Sequence, residues 1–314
     1  MKNTINTIYV YDYSSSENLL IGKLYCELSR GQEIFSFEYN SDYLNNRNKK
    51  FYAPYIEPFL GRQYSIDGTL FSIFTDSCPD RWGRTLFKKK ELLNASNDKR
   101  IPRTLLESDY LLGVSDSLRM GSLRYKCNFD GPFIAEDKDN TPPFEHLNKL
   151  ELIAHKIEDN QDVKYNDLKL LLSPGSSLGG ARPKANVVDN DGHIWIAKFP
   201  SKNDDYDIGA WEMVIHDLME LCSINTSDAK ILKLSKYGST YLTKRFDRNK
   251  GQRIPFHSLL ALLGKKDGED SSYLEIMEFI RSFSDNVKVD LEELFKRIVF
   301  YILINNTDNH LRNI

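Results

Sequence analysis

Four separated groups in this sequence have the residue types and spacing that phosphate chemistry uses. The first is SPGSSLGGARPK at residues 173–184, where two serines and three glycines fall within six positions. Glycine carries no Cβ, so such a backbone can come close to a ligand, and a phosphate could sit there. The second is Lys198, eighteen residues after Gly180, which closes an apolar strand face where a cation needs a reason. Third comes Glu212, beside the apolar stripe of a helical pattern and able to point at the strands. The fourth is Asp308 with Asn313 five residues on, directly after an apolar helix. That D-x-x-x-x-N spacing matches a kinase catalytic loop, in which the aspartate accepts the substrate hydroxyl's proton and the asparagine binds Mg²⁺.

Other mechanical readings compete at each place. Gly175 and Gly180 have the spacing of a Walker phosphate loop, but Ala181-Arg182-Pro183 follows where Lys-Ser/Thr and a helix are required. Residues 175–179 match the nucleophile elbow G-x-S-x-G, yet Pro183 and a hairpin stand where a helix must begin. An ordinary Gly/Ser surface loop is the bland alternative. Glu212 could pair locally with His216 at i+4 instead of with Lys198. The run Lys88-Lys89-Lys90 reads as a solvated helix face before it reads as a nucleic-acid patch. What favours phosphate transfer is order: glycine loop, strand lysine, helix glutamate, then Asp and Asn.

The elements that must hold these groups follow from periodicity. Residues 5–11, 19–27 and 33–39 read as a small antiparallel unit. A helix opens at residues 79–84 with Asp80 as a plausible cap and runs to about 93; residues 102–113 give another helix and 120–126 a strand. Gly131-Pro132 and Pro142-Pro143 place a boundary within 128–143. Helical patterns cover 144–157 and 163–172. Asn190-Asp191-Gly192 then predicts a hairpin that puts Ile194, Ile196 and Lys198 on one face and Trp195, Ala197 and Phe199 on the other. Ile208, Trp211, Ile215, Leu218 and Cys222 recur at helical spacing and read as core, and strands at 229–234 and 239–245 come next. Leu291, Leu294, Phe295, Ile298 and Ile302 predict a buried face on the last helix.

Composition removes several function classes. With 314 residues, 40% of them hydrophobic, the chain can build a real core and two domains. A net charge of -3 and a pI near 6.1 argue against wrapping nucleic acid unaided, so any DNA contact is expected through a partner. Four cysteines without C-x-x-C spacing give neither a zinc site nor a disulfide framework, and suggest a reducing cytosol. No signal-peptide layout is present, and the apolar run 298–304 is too short to span a bilayer.

Taken together, these residues resemble the HipA-like serine/threonine kinases, toxins of bacterial toxin–antitoxin pairs. The resemblance is carried by Pro-Asp-x-Trp-Gly-Arg at 79–84, Arg-Met-Gly-Ser-Leu-Arg at 119–124, Ser-Leu-Gly-Gly-Ala-Arg-Pro-Lys at 177–184, Ile-Ala-Lys-Phe-Pro at 196–200, Arg-Phe-Asp-Arg at 245–248 and Thr-Asp-Asn-His at 307–310. It implies an α+β chain: a β-rich N-terminal domain over 1–130 that contacts an antitoxin, then a kinase-like ATP-binding domain over 144–314 ending at the catalytic loop, with the helical C-terminal subdomain incomplete. By that resemblance Gly179, Gly180, Ala181, Arg182, Pro183 and Lys184 line the ATP phosphates. Lys198 would hold the α- and β-phosphates, oriented by Glu212, and Lys244, Arg245 and Phe246 would form the hinge at adenine. Asp308 would be the base, supported by His310, with Asn313 a Mg²⁺ ligand and Ser177 (or Ser176) autophosphorylated to switch the enzyme off.

The implied cofactors are ATP and Mg²⁺. The implied partners are a HipB-like antitoxin, DNA only through it, and a protein substrate that in the family is an aminoacyl-tRNA synthetase, all in the cytoplasm and away from membranes. Family members continue to a second metal-binding aspartate beyond the position of Ile314. A catalytically incomplete subunit or fragment that binds antitoxin or nucleotide is therefore the alternative expectation, and a small-molecule or lipid kinase a third.

Overall fold

The computed structural model describes residues 7–14, 17–46, 53–135, 141–175, 180–249 and 251–312. Ser176, Ser177, Gly179 and Asn313 lie outside the described residues.

The chain starts with β1 (Thr7–Asp12), β2 (Leu19–Ser29) and β3 (Gln32–Tyr39), followed by the short helix α1 (Ser41–Asn45), β4 (Gln63–Tyr64) and α2 (Ser72–Thr75). Helices α3 (Arg81–Asn97) and α4 (Glu107–Gly113) lead to β5 (Leu123–Lys126), which returns beside β1 to give an antiparallel sheet of order β4-β3-β2-β1-β5. Period-two alternation sends Ile8, Val10, Leu24, Phe35 and Phe37 into one core. The strand expected over 120–126 begins at Leu123, because Arg119 and Gly121 are engaged elsewhere.

The second layer system begins with α5 (Leu147–Glu158) and α6 (Tyr165–Gly175). Strands β6 (Lys184–Val188) and β7 (Ile194–Lys198) form the expected hairpin, closed by Gly192 at φ +81°, a conformation only glycine adopts freely. After α7 (Ile208–Leu221), β8 (Ala229–Ser235) and β9 (Gly238–Lys244) complete an antiparallel sheet of order β6-β7-β9-β8. One face, carrying Ala185, Val187, Trp195, Ala197 and Leu242, packs on Leu150, Ile153, Leu168 and Leu171 of α5 and α6. Trp82 and Leu86 of α3 join this same core, so a helix from the first third of the chain is built into the second sheet's packing. A small hairpin of β10 (Arg248–Asn249) and β11 (Gln252–Arg253) precedes α8 (Leu259–Leu262), α9 (Tyr273–Phe283) and α10 (Val287–Leu303), which share a core of Leu260, Ile276, Leu294 and Leu311.

Buried charge joins the two sheets. Arg245 and Asp247, both fully buried side chains, pair at 2.6 Å, and Arg245 also donates to the carbonyls of Leu118 and Arg119. Asp247 in turn accepts from the Gly121 N–H and from Arg248, while Arg253 reaches Asp116 at 2.9 Å. Charges removed from water persist only when paired and hydrogen-bonded, as every one of these is. Burial works to raise the Asp247 carboxyl, but the arginines and the Gly121 amide outweigh it and hold it below the usual range.

Two sequence expectations are corrected. The α7 stripe is not core: Trp211 and Leu218 are 57% and 40% exposed and Cys222 is exposed, while the buried positions are Gly209 and His216. Gly209 turns that side inward, since a Cβ there would run into the Ser239 carbonyl, and His216 Nε2 meets the Ser227 carbonyl oxygen at 2.8 Å. On α10, Leu294 is buried but Phe295 and Ile302 are 67% and 70% exposed. Both helices thus carry apolar side chains in solvent. Among the described residues, no helix is long and apolar enough to cross a membrane.

Candidate active site

Pairing in the second sheet puts Lys184 opposite Lys198, and Lys198 opposite Tyr241. Directly paired residues project to the same side of an antiparallel sheet, so Lys184, Lys198 and Tyr241 share the face turned away from α5 and α6. The Lys198 ammonium lies 5.3 Å from the Tyr241 ring centroid and 2.6 Å from Glu212 Oε2. Glu212 is brought there by its helix. Asp207 caps α7 through the Ala210 N–H and also accepts from the Ser239 N–H and hydroxyl, which ties the helix start to β9. With Gly209 in direct contact with that strand, one turn of helix carries Glu212 over the sheet face.

Lys184 is the more enclosed lysine, 7% exposed. Burial, then the neighbouring charge of Lys198, pushes its pKa down to about 8, with Glu212 and Asp80 opposing. Gly180 stands at φ +83°, and a Cβ there would lie 2.7 Å from the Lys184 amine. The Gly180 N–H donates to Asp80 Oδ2 at 2.5 Å, and its carbonyl accepts from the Trp82 N–H at 3.1 Å. Asp80 was expected only as a helix cap; its bond to Gly180 spans 100 residues and no local pattern could reveal it. Burial raises its pKa, but the Gly180 and Arg81 amides and the charges of Arg312 and Lys184 hold it below the usual carboxylate range.

The other expected residues are placed as follows. Arg182 pairs with Asp204 and donates to the Phe199 carbonyl, Ala181 is exposed, and the Pro183 carbonyl accepts from the Phe199 N–H. Lys244, Arg245 and Phe246 line a pocket of about 330 Å³ whose walls include Asp228 and Arg248 but neither Lys198 nor Glu212. Of the three, Arg245 turns its side chain into the buried junction, Lys244 pairs with Asp228 at 3.2 Å, and Phe246 stacks edge-on against Phe256.

Asp308 is exposed on the loop after α10, its N–H donating to Asn306 Oδ1 and its carboxylate 3.9 Å from His310 Nε2. That loop is anchored by buried Leu311, whose carbonyl accepts from the Leu260 N–H. Arg312 pairs with Asp267 at 3.0 Å and lies in the wall of a larger cleft of about 700 Å³, together with Asp80 and residues of the first sheet's loops. Gly180, Lys184, Lys198 and Glu212 therefore form one cluster, and Asp80 links it electrostatically to the segment just after Asp308.

The family model of the HipA-like C-terminal domain matches residues 176–314. A solved structure from Shewanella oneidensis MR-1, of the toxin–antitoxin proteins HipA and HipB with their operator DNA, has the same fold: TM-score 0.56 at 16% identity, covering 98% of this chain and 71% of that one. Residues 176–314 are therefore HipA-like in sequence, and the chain as a whole is similar to HipA in fold. A Haemophilus influenzae protein provisionally named as a kinase is 24% identical over 162 residues, which is 44% of this chain and 47% of that relative. The segment matched by the family model includes β6, β7, Glu212 and Asp308.

Proposed function

We propose that this HipA-like protein is an ATP-dependent serine/threonine kinase. The observation that carries the reading is the 2.6 Å Lys198–Glu212 pair on a sheet face that also presents Lys184. Two ammonium groups held side by side, one fixed by a carboxylate, suit the oxygens of a polyphosphate and have no evident role in packing. Lys198 binds the α- and β-phosphates, Glu212 orients it, and Lys184 adds a second charge from the neighbouring strand. A substrate Ser or Thr hydroxyl attacks the γ-phosphorus, its proton passes to Asp308, and the bond to the β-phosphate oxygen breaks to release ADP. Residues 179–183 line the phosphates, residues 244–246 the adenine, His310 steadies the loop of Asp308, and phosphorylation of Ser177 would disengage the glycine loop.

Phosphates fit the lysine cluster. Mg²⁺ would be held by Asn313, which lies outside the described residues. A second reading is a subunit that binds nucleotide and antitoxin without transferring phosphate. Either way, residues 1–130 are the part we assign to a HipB-like antitoxin, with DNA reached through it; the Shewanella structure holds HipA, HipB and operator DNA in one complex. The substrate would be a cytoplasmic protein, in the family an aminoacyl-tRNA synthetase. Mg²⁺-ATP titration of the wild type and Lys198→Ala tests the reading: binding is expected to be lost in the variant, and equal affinity would overturn it.

A further inference from the structure

Gly180 spends both of its backbone polar groups on the start of α3, donating to the Asp80 carboxylate and accepting from the Trp82 N–H. The Trp82 indole N–H then donates to the Lys184 carbonyl at 2.9 Å. Three hydrogen bonds from residues 80–82 thus fix both ends of the segment 180–184, from about 100 positions away in sequence. The other root of the glycine loop leans on the same helix, since a Cβ at Gly175 would lie 2.8 Å from Leu86 Cδ1 and 3.2 Å from Trp82 Nε1. Asp80 already has a local task, capping α3 through the Arg81 N–H at 2.7 Å. Capping does not require its second oxygen, which is the one that accepts from Gly180.

We propose that Asp80 and Trp82 are positioning residues for nucleotide: they hold Gly180 and Lys184 where phosphate binds, while touching no phosphate themselves. This rests on the nucleotide reading above and adds to it a determinant outside the segment 176–314 that defines the family match. The Gly180 amide needs an anionic or carbonyl acceptor to stay turned towards α3, and a buried lysine neighbour makes the carboxylate the better choice. Without Asp80, Gly180 has the wide conformational freedom of its residue type, and Lys184 loses one of the two opposing charges near it.

The test compares wild type, Asp80→Ala, Asp80→Asn and Trp82→Phe by Mg²⁺-ATP calorimetry and by hydrogen exchange of peptides covering 180–184. Asp80→Ala should weaken Mg²⁺-ATP about 10-fold, the factor a charge-assisted hydrogen bond commands, and should speed exchange at 180–184. Asp80→Asn, whose amide oxygen still accepts from Gly180, should recover most of both, and Trp82→Phe should cost about 3-fold. Wild-type affinity in Asp80→Ala, or Asp80→Asn no better than alanine, would overturn the proposal. If the wild type binds no Mg²⁺-ATP, the nucleotide reading fails by itself, and unchanged exchange at 180–184 in Asp80→Ala would then sink the clamp separately. Should circular dichroism show Asp80→Ala unfolded, Trp82→Phe decides: unaltered affinity and exchange there overturn the proposal.

Discussion

Removing the charge of Glu212 while keeping its shape isolates what the glutamate does for Lys198. In Glu212→Gln the amide oxygen can still accept from the lysine, so the loss is the Coulomb attraction that holds the ammonium in one place. Two unit charges 4 Å apart attract by about 1 kcal/mol in water and about 4 kcal/mol at an effective dielectric of 20. The pair is 33% and 25% exposed, between these limits, so about 2 kcal/mol is the working figure. At 1.36 kcal/mol per tenfold, transfer should slow roughly 30-fold. Lys198→Ala, which removes the phosphate contact itself, should cost about 10³-fold or more. The decisive measurement is the double variant in a radiolabelled-ATP transfer assay. Because Glu212 acts only through Lys198, the double should be no slower than Lys198→Ala alone. Independent, multiplying losses would refute the argument and give Glu212 a separate role.

Asp247→Asn leaves Arg245 buried beside a neutral group, and urea unfolding should show a loss of about 3–5 kcal/mol; under 1 kcal/mol would mean the junction contributes little. Lys184 has a folded pKa near 8 against an ordinary 10.5, so the fold gains stability from it as pH climbs from about 8 towards 10.5, where only the unfolded chain still holds the proton. Nucleotide affinity should move the opposite way, falling above pH 8 as the ammonium is lost, and Lys184→Met should flatten that dependence. Trp211→Ser with Phe295→Ser should lower dye binding to exposed apolar surface and shift unfolding by less than about 1 kcal/mol, whereas a large destabilisation would show these side chains to be core after all.

What the sequence disclosed was whatever depends on neighbours within a turn or a hairpin. Asp-Gly between apolar runs located β6 and β7, and alternation put Lys198 on the face opposite Trp195 and Ala197. Helical spacing set Glu212 beside its stripe but could not choose between Lys198 and His216, because that choice was made by Gly209 closing on β9. The same contact reversed the reading of α7, since apolar periodicity marks a face without saying which neighbour covers it. Arg245 illustrates the other limit: the family resemblance implies a hinge there, yet its guanidinium reaches the carbonyls of residues 118 and 119, which only the folded chain brings near. Asp80 and Gly180 were both conspicuous, one as a cap and one as a loop glycine, but nothing local linked them.

The arginine-rich seam between the sheets also limits how the molecule can move. Any rotation of one sheet against the other would have to pull Asp247 from Gly121 and Arg253 from Asp116, breaking charged bonds in a medium that offers no water to replace them. The two sheets, with α3 packed into the core of the second, must travel together. Because α8 is tied to the first part of the chain, Ser258 donating to Asp76 and Ser72 to the Ala261 carbonyl, opening and closing around a ligand is left to α9 and α10, and domain-motion experiments should place their probes there.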